Sequence, residues 1–185
     1  MMLTTLLLAF LAATGTPFER LQAKVPGLRQ VGITDQIDWS GHYATGKGLS
    51  GQTFGSDLYL FPDGTYIYCE WAQIKPRLVL DKGRWTEAAG VVELKSDPEV
   101  RWPPLVERRL WAVQRRRQAG EVILIGEERK LAVFEATAMS DPQRALLVVG
   151  LARLKGLGPD RGAQLKARLM SEYWKPESFA RVANR

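Results

Sequence analysis

The stretch Phe54-Gly55-Ser56-Asp57-Leu58-Tyr59-Leu60-Phe61-Pro62-Asp63-Gly64-Thr65-Tyr66-Ile67-Tyr68-Cys69-Glu70-Trp71 decides the fold class. Its first part alternates, with Ser56, Leu58 and Leu60 on one side and Asp57, Tyr59 and Phe61 on the other. Period two is the signature of a strand. Pro62-Asp63-Gly64 then supplies a turn, because proline presets φ and glycine accepts a positive one. The return segment from Thr65 to Trp71 is rich in tyrosine, which suits a pleated, half-buried surface. Ile67, Cys69 and Trp71 share one face of it, and Tyr66, Tyr68 and Glu70 the other. The stretch is therefore a β-hairpin.

Further strands are expected on both sides of it. Upstream, Tyr43 and Thr45 begin an extended stretch that runs into Gly46, Gly48 and Gly51, a long loop. Downstream, strands are expected at 77–81, 83–86 and 91–94, the last two joined by an Ala88-Ala89-Gly90 turn. Residues 97–104 are polar and proline-rich and are read as a loop. Residues 107–117 form a candidate long strand, with 122–125 as its partner. Many short strands separated by glycine turns indicate a meander that curls into a barrel. The last third changes period. Residues 129–139 are expected to be helical. Asp141 is a good N-cap with Pro142 at the first helical position. Leu147, Leu151 and Leu154 recur at helical spacing up to Gly156, with a buried strand over 146–149 as the other reading. Pro159 opens a final helix in which Leu165, Leu169 and Tyr173 share a face.

Composition narrows the chemistry. The 185 residues are 45% hydrophobic and 25% charged, which is globular rather than disordered. One cysteine excludes an intrachain disulfide, and one histidine excludes any site built on two or three imidazoles. No cofactor or metal site is expected. Residues 1–14 read MMLTTLLLAFLAAT, and Leu6 to Ala13 has the length of a secretory apolar region, with no Lys or Arg before it. The expectation is a signal segment and a periplasmic or secreted protein, with no transmembrane span after signal removal. The expected division is a signal over 1–14, a linker or lead-in over 15–36, an antiparallel barrel over 37–126, and a helical C-terminal part over 127–185 packed on that barrel.

Trp39-Ser40-Gly41-His42-Tyr43 opens the sheet, followed by a glycine-rich stretch, alternating hydrophobics, Asp63-Gly64-Thr65-Tyr66 and Gly83-Arg84-Trp85. This succession over residues 39–125 resembles small exported bacterial lipocalin-like β-barrel proteins. In the lipocalin signature Gly-x-Trp lies on the first strand, whereas here it lies inside the sheet as Gly83-Arg84-Trp85. The resemblance implies an α+β fold: an antiparallel lipocalin-like β-barrel, or strongly curved sheet, with C-terminal helices. It also implies a non-catalytic role, in which such a barrel binds a small apolar ligand.

The aromatics supply candidates for lining a ligand cavity: Trp71, Trp85 and Trp111, which equally suit a packed core. His42, the only imidazole, pairs as a base with Asp57 or Glu70 if it is used in catalysis, but no Gly-x-Ser-x-Gly elbow accompanies it. It is read as a surface or loop histidine. Cys69 lies mid-strand beside Ile67 and Trp71, which favours burial and an inert thiol. Glu70 and Glu93 are the candidate carboxylate pair for the alternative, a hydrolase. Gly46-Lys47-Gly48-Leu49-Ser50 lacks the spacing of a phosphate loop. No catalytic residue is assigned. The formal charge of +6 is uneven. Residues 101–117 carry six Arg against one Glu. Arg108, Arg109, Arg115, Arg116 and Arg117 are the candidates for contact with an anionic lipid or polysaccharide surface, with a solvated sheet face as the plain alternative. Nucleic acid is the least favoured partner for an exported chain.

Overall fold

A computed structural model describes residues 16–32, 35–46, 51–100, 108–115, 121–126 and 141–175. The expected signal segment, the helix over 129–139, the 47–50 loop sequence, and Arg116 and Arg117 lie outside these residues. The elements are α1 (Pro17–Lys24), β1 (Leu28–Gln30), β2 (Gly41–Ala44), β3 (Phe54–Leu60), β4 (Thr65–Ala72), β5 (Lys75–Ala88), β6 (Val91–Ser96), β7 (Arg109–Arg115), β8 (Val122–Gly126), α2 (Pro142–Val149), β9 (Leu151–Gly156) and α3 (Pro159–Tyr173).

The β3–β4 hairpin forms as expected. Leu60 pairs with Tyr66, and the Thr65 carbonyl accepts the Phe61 N–H at 2.8 Å. Asp63 Oδ1 accepts from the Thr65 hydroxyl at 2.6 Å and from its N–H at 3.1 Å. Gly64 takes φ 75°, a left-handed value that a side chain resists. From this nucleus each strand pairs antiparallel with the next, from β2 through β9. β9 then returns to β2, with Gly41 opposite Gly156. The result is a closed eight-stranded antiparallel barrel with helices on its outside. β1 adds a short pairing along β7, next to the start of β6.

Strand alternation sorts the hydrophobics into layers. The interior holds Tyr43, Leu58, Leu60, Tyr66, Tyr68, Val92, Leu94, Leu110, Ala112, Val122, Leu124 and Leu151. On the outside, α1 and α2 bury Leu21, Val25, Leu146 and Val149 against Trp111, Val113, Ile123 and Ile125 of β7 and β8. Elsewhere α3 lays Leu165, Leu169, Met170 and Tyr173 over Tyr59, Phe61, Ile67, Cys69 and Val79. Among the described residues no helix is long and apolar enough to cross a membrane.

Residues Pro17–Lys24 form α1, opened by a Thr16–Glu19 capping box, and Leu28–Gln30 form β1. Two expectations need correction. The strands expected at 77–81 and 83–86 are one fourteen-residue strand, β5. The helix expected to run on through Leu154 ends at Val149, and Leu151–Gly156 is a strand. Its leucine spacing is helical, but barrel closure needs this segment to pair with both β2 and β8. The break falls at Gly150, where a Cβ would press on Ile123 Cγ2 at 2.6 Å. The helix N-cap is as expected: Asp141 Oδ1 accepts the Arg144 N–H at 3.0 Å.

Candidate functional site

A fully buried acid breaks the apolar pattern of the interior. Asp81 on β5 stands opposite Tyr68, and its exposure is 0%. A bulge places it there. Tyr68 pairs with Asp81 while Cys69 pairs with Val79, so Leu80 is an extra residue. Without it, Asp81 would share the outward face of Val79. With it, Leu80 and Asp81 both belong to the interior.

The carboxylate is poorly served there. The hydroxyls of Tyr66 and Ser96, which bond each other at 3.0 Å and so keep one proton between them for the carboxylate, approach it, as does the Lys82 backbone N–H. Neither Asp81 oxygen completes a well-aligned hydrogen bond among the described residues. Burial pushes the Asp81 pKa above the usual carboxylate range, and the nearby Ser96 and Tyr66 hydroxyls and the Arg108 charge only partly offset this. Most buried polar groups in native proteins are paired, so an orphaned carboxylate calls for a functional explanation. Sequence reasoning did not single out Asp81. Its one signal is a carboxylate ending the apolar run Leu78-Val79-Leu80.

A second polar cluster lies on the outer face. His42 sits in β2, not in a loop, with its side chain 13% exposed. Its Nε2 lies 2.7 Å from Asp57 Oδ1, and its ring stacks on Tyr59 at 4.4 Å between centroids. Of the two partners weighed for it, Asp57 is the one in contact. Glu70 instead accepts the Tyr68 hydroxyl at 3.0 Å. Arg77 Nη2 lies 2.9 Å from Asp57 Oδ2. Burial works against the Arg77 charge more than any single neighbour favours it, but Asp57 together with Tyr59, Cys69 and Tyr173 raises the guanidinium pKa overall. Cys69, directly across from Asp57, is fully buried, and its thiol is pushed up to about 12, chiefly by burial. A thiol held protonated in this way is no nucleophile. The cluster is a charge-balanced anchor beneath the C-terminal end of α3, where Tyr173 is also near Arg77.

The three tryptophans do not line one cavity. Trp85 packs against the interior cluster and donates from Nε1 to the Phe61 carbonyl at 3.0 Å. Trp111 faces outward under α1 and α2. Trp71 lies over Gly55 on the outer face, where a glycine Cβ would meet its ring at 2.6 Å. Alternation from Leu110 inward to Trp111 outward decides this, and sequence parity alone does not say which face is the interior. The carboxylates Glu70 and Glu93 do not pair either. Glu70 shares the inner face with Tyr68, whereas Glu93 lies between inward Val92 and Leu94 and meets Arg109 outside at 3.4 Å. Arg108, just before β7, and Arg109, its first residue, are exposed, and Arg115 ends that strand. Among the described residues no three His, Cys, Asp or Glu side chains gather as a metal site. A cleft of about 290 Å³ lies between the β3–β4 turn and α3, where Lys166 Nζ already bonds Asp63 Oδ2 and Thr65 Oγ1, each at 2.8 Å.

Compared with models of protein families, with curated proteins and with solved structures, the chain matches none. The likeness to lipocalin-like proteins is thus one of generic barrel architecture.

Proposed function

We propose that this is a non-catalytic, exported binding protein that holds a small, largely apolar ligand at the interior of its barrel. The observation that carries the reading is Asp81. A barrel filled only for stability gains from an apolar side chain at such a position. Here a buried, poorly bonded carboxylate sits beside Tyr66, Tyr68 and Ser96 instead. An apolar enclosure with very few polar groups is the usual make-up of a small-molecule site. The apolar segment over 1–14 supports export.

Fluorescence titration of the full chain with fatty acids, haem and aliphatic amines tests the binding. A saturable change that is reduced in Trp85→Phe, but kept in Trp71→Phe and Trp111→Phe, is expected. No saturable change with any of them overturns the reading. Export is tested separately by replacing residues 1–14 and measuring secretion, which is expected to stop.

A second reading concerns the outer surface. Exposed Arg108 and Arg109 support contact with an anionic lipid or polysaccharide. Retention on heparin or anionic liposomes that falls with salt, and is lost on replacing Arg115, Arg116 and Arg117, is its expected outcome.

A further inference from the structure

We propose that the β4–β5 turn is a membrane-contact tip, whose Ile74 and Phe54 enter the apolar layer of an anionic phospholipid bilayer while Lys75 meets the headgroups. This contact is separate from the barrel interior. It goes beyond the arginine reading above, since it uses apolar side chains at the other end of the barrel from Arg115.

Ala72 pairs with Lys75, so Gln73 and Ile74 alone make the turn. Phe54 pairs with Ala72, and the Gln73 N–H donates to the Thr53 carbonyl at 2.8 Å, so the start of β3 lies along the same tip. Among the described residues Ile74 and Phe54 are the two most exposed large hydrophobics, at 91% and 70%. Single apolar residues on a surface are ordinary, but neighbouring ones at one tip mark a contact. The tip also runs on past the end of β6. β5 pairs with β6 only from Gly83 onward, so among the described residues 75–82 have β4 as their one strand neighbour.

Neither side chain serves the fold. Tight turns favour Gly, Asn, Asp and Pro for their backbone properties. Ile74 is β-branched and does not take a positive φ. Ile74 and Phe54 belong to none of the three hydrophobic clusters. Their exposure costs free energy that an apolar partner returns.

The surroundings select the partner. Residues 71–77 hold Lys75 and Arg77 and no acid. Arg77 is paired with Asp57, whereas Lys75 is exposed and forms no ion pair among the described residues. Anionic headgroups attract such a lysine. Trp71, half-buried just before the turn, is of the residue type that favours the headgroup level. A second copy docked tip to tip would set Lys75 against Lys75. A polysaccharide offers Ile74 nothing apolar. β5 and β7 both run antiparallel to β6, so Lys75 opens β5 at the end where Arg109 opens β7, and Arg115 lies at the far end.

An environment-sensitive fluorophore on Ile74→Cys tests this in the full chain, with vesicles of equal parts phosphatidylcholine and phosphatidylglycerol. Cys69 is buried and stays unlabelled. The emission is expected to shift to the blue when vesicles are added. The same label on Ala88→Cys, exposed at the opposite end of β5, is expected not to shift. In the chain labelled at 74, Phe54→Ser is expected to weaken vesicle affinity about tenfold. Lys75→Gln is expected to weaken it about fivefold on the mixed vesicles and to leave affinity for phosphatidylcholine alone unchanged. Both replaced side chains are exposed, so thermal unfolding is expected to stay the same and serves as the control for folding. No shift at 74, or equal shifts at 74 and 88, overturns the tip. Vesicle retention that is lost on replacing Arg115, Arg116 and Arg117, with no shift at 74, overturns the tip and leaves the arginine reading standing. A shift that rises with protein concentration and needs no vesicles overturns the bilayer in favour of a second copy.

Discussion

His42 Nε2 meets Asp57 Oδ1 at 2.7 Å although the β2–β3 ladder pairs His42 with Tyr59 and Asp57 with Ala44. The histidine stacks on its direct partner and reaches the carboxylate on the diagonal. Asp57 is 4% exposed and also holds Arg77, whose side chain is 32% exposed. Asp57→Ala leaves Arg77 without its counterion, next to a buried thiol. The expected loss is about 2 kcal/mol, below the value for a fully buried pair because Arg77 reaches solvent. Urea denaturation measures it. Asp57→Asn is expected to lose less, since the amide oxygen still accepts from His42 in its Nε2–H form.

Asp81 makes stability fall as pH rises. Its folded pKa is raised by burial, so between the ordinary carboxylate pKa and the raised folded value the native state binds more proton than the unfolded chain. Raising the pH through that window therefore destabilises the protein. Asp81→Asn removes the effect. The variant is expected to gain on the wild type as pH climbs from 4 toward neutrality, and unfolding free energies across that series check the sign. A wild-type advantage that grows with pH would mean that the Asp81 carboxylate is held charged by a paired cation or strong donors.

Cys69 is expected to be inert in the native protein. It is fully buried on the face under α3, and its thiol is pushed up to about 12. Thiol labelling at pH 8 should give almost no reaction until denaturant is added, and then one thiol per chain. Rapid labelling of native protein would show that α3 opens readily from the barrel.

Leu169 reports on the docking of α3. It is fully buried between Tyr59, Ile67 and Val79. Leu169→Ala is expected to cost about 2 to 4 kcal/mol through lost contacts and the cavity left behind. The same substitution at Leu154, an exposed leucine on β9, is expected to change stability by less than about 0.5 kcal/mol. Thermal or urea unfolding of the two variants gives the contrast.

Local chemistry is enough to explain what could be read from the sequence. A proline–aspartate–glycine turn between two alternating runs specifies the β3–β4 hairpin wherever it occurs, and Asp141 with Pro142 starts a helix from its own backbone needs. The same local rules place Cys69 with Ile67 on a buried face, and Leu165, Leu169 and Tyr173 on one side of α3. They did not place His42, read as a surface or loop histidine, in β2 with its side chain on Asp57.

Longer-range pairing settled the rest. Leu151 and Leu154 fit a helix by spacing, yet barrel closure recruits their segment as the strand that joins β2 to β8. Trp71, Trp85 and Trp111 look alike as residues, and only the closed sheet divides them into one interior and two outer side chains. Asp81 is the sharpest case. By period two it belongs with outward Val79, and a single extra residue in the β4–β5 register turns it inward. The sequence by itself determined an antiparallel barrel with C-terminal helices, because turn chemistry and alternation act over a few residues. Only the tertiary structure decided which face became the interior and that a carboxylate lies in it, because a bulge is a property of two paired strands and not of either one.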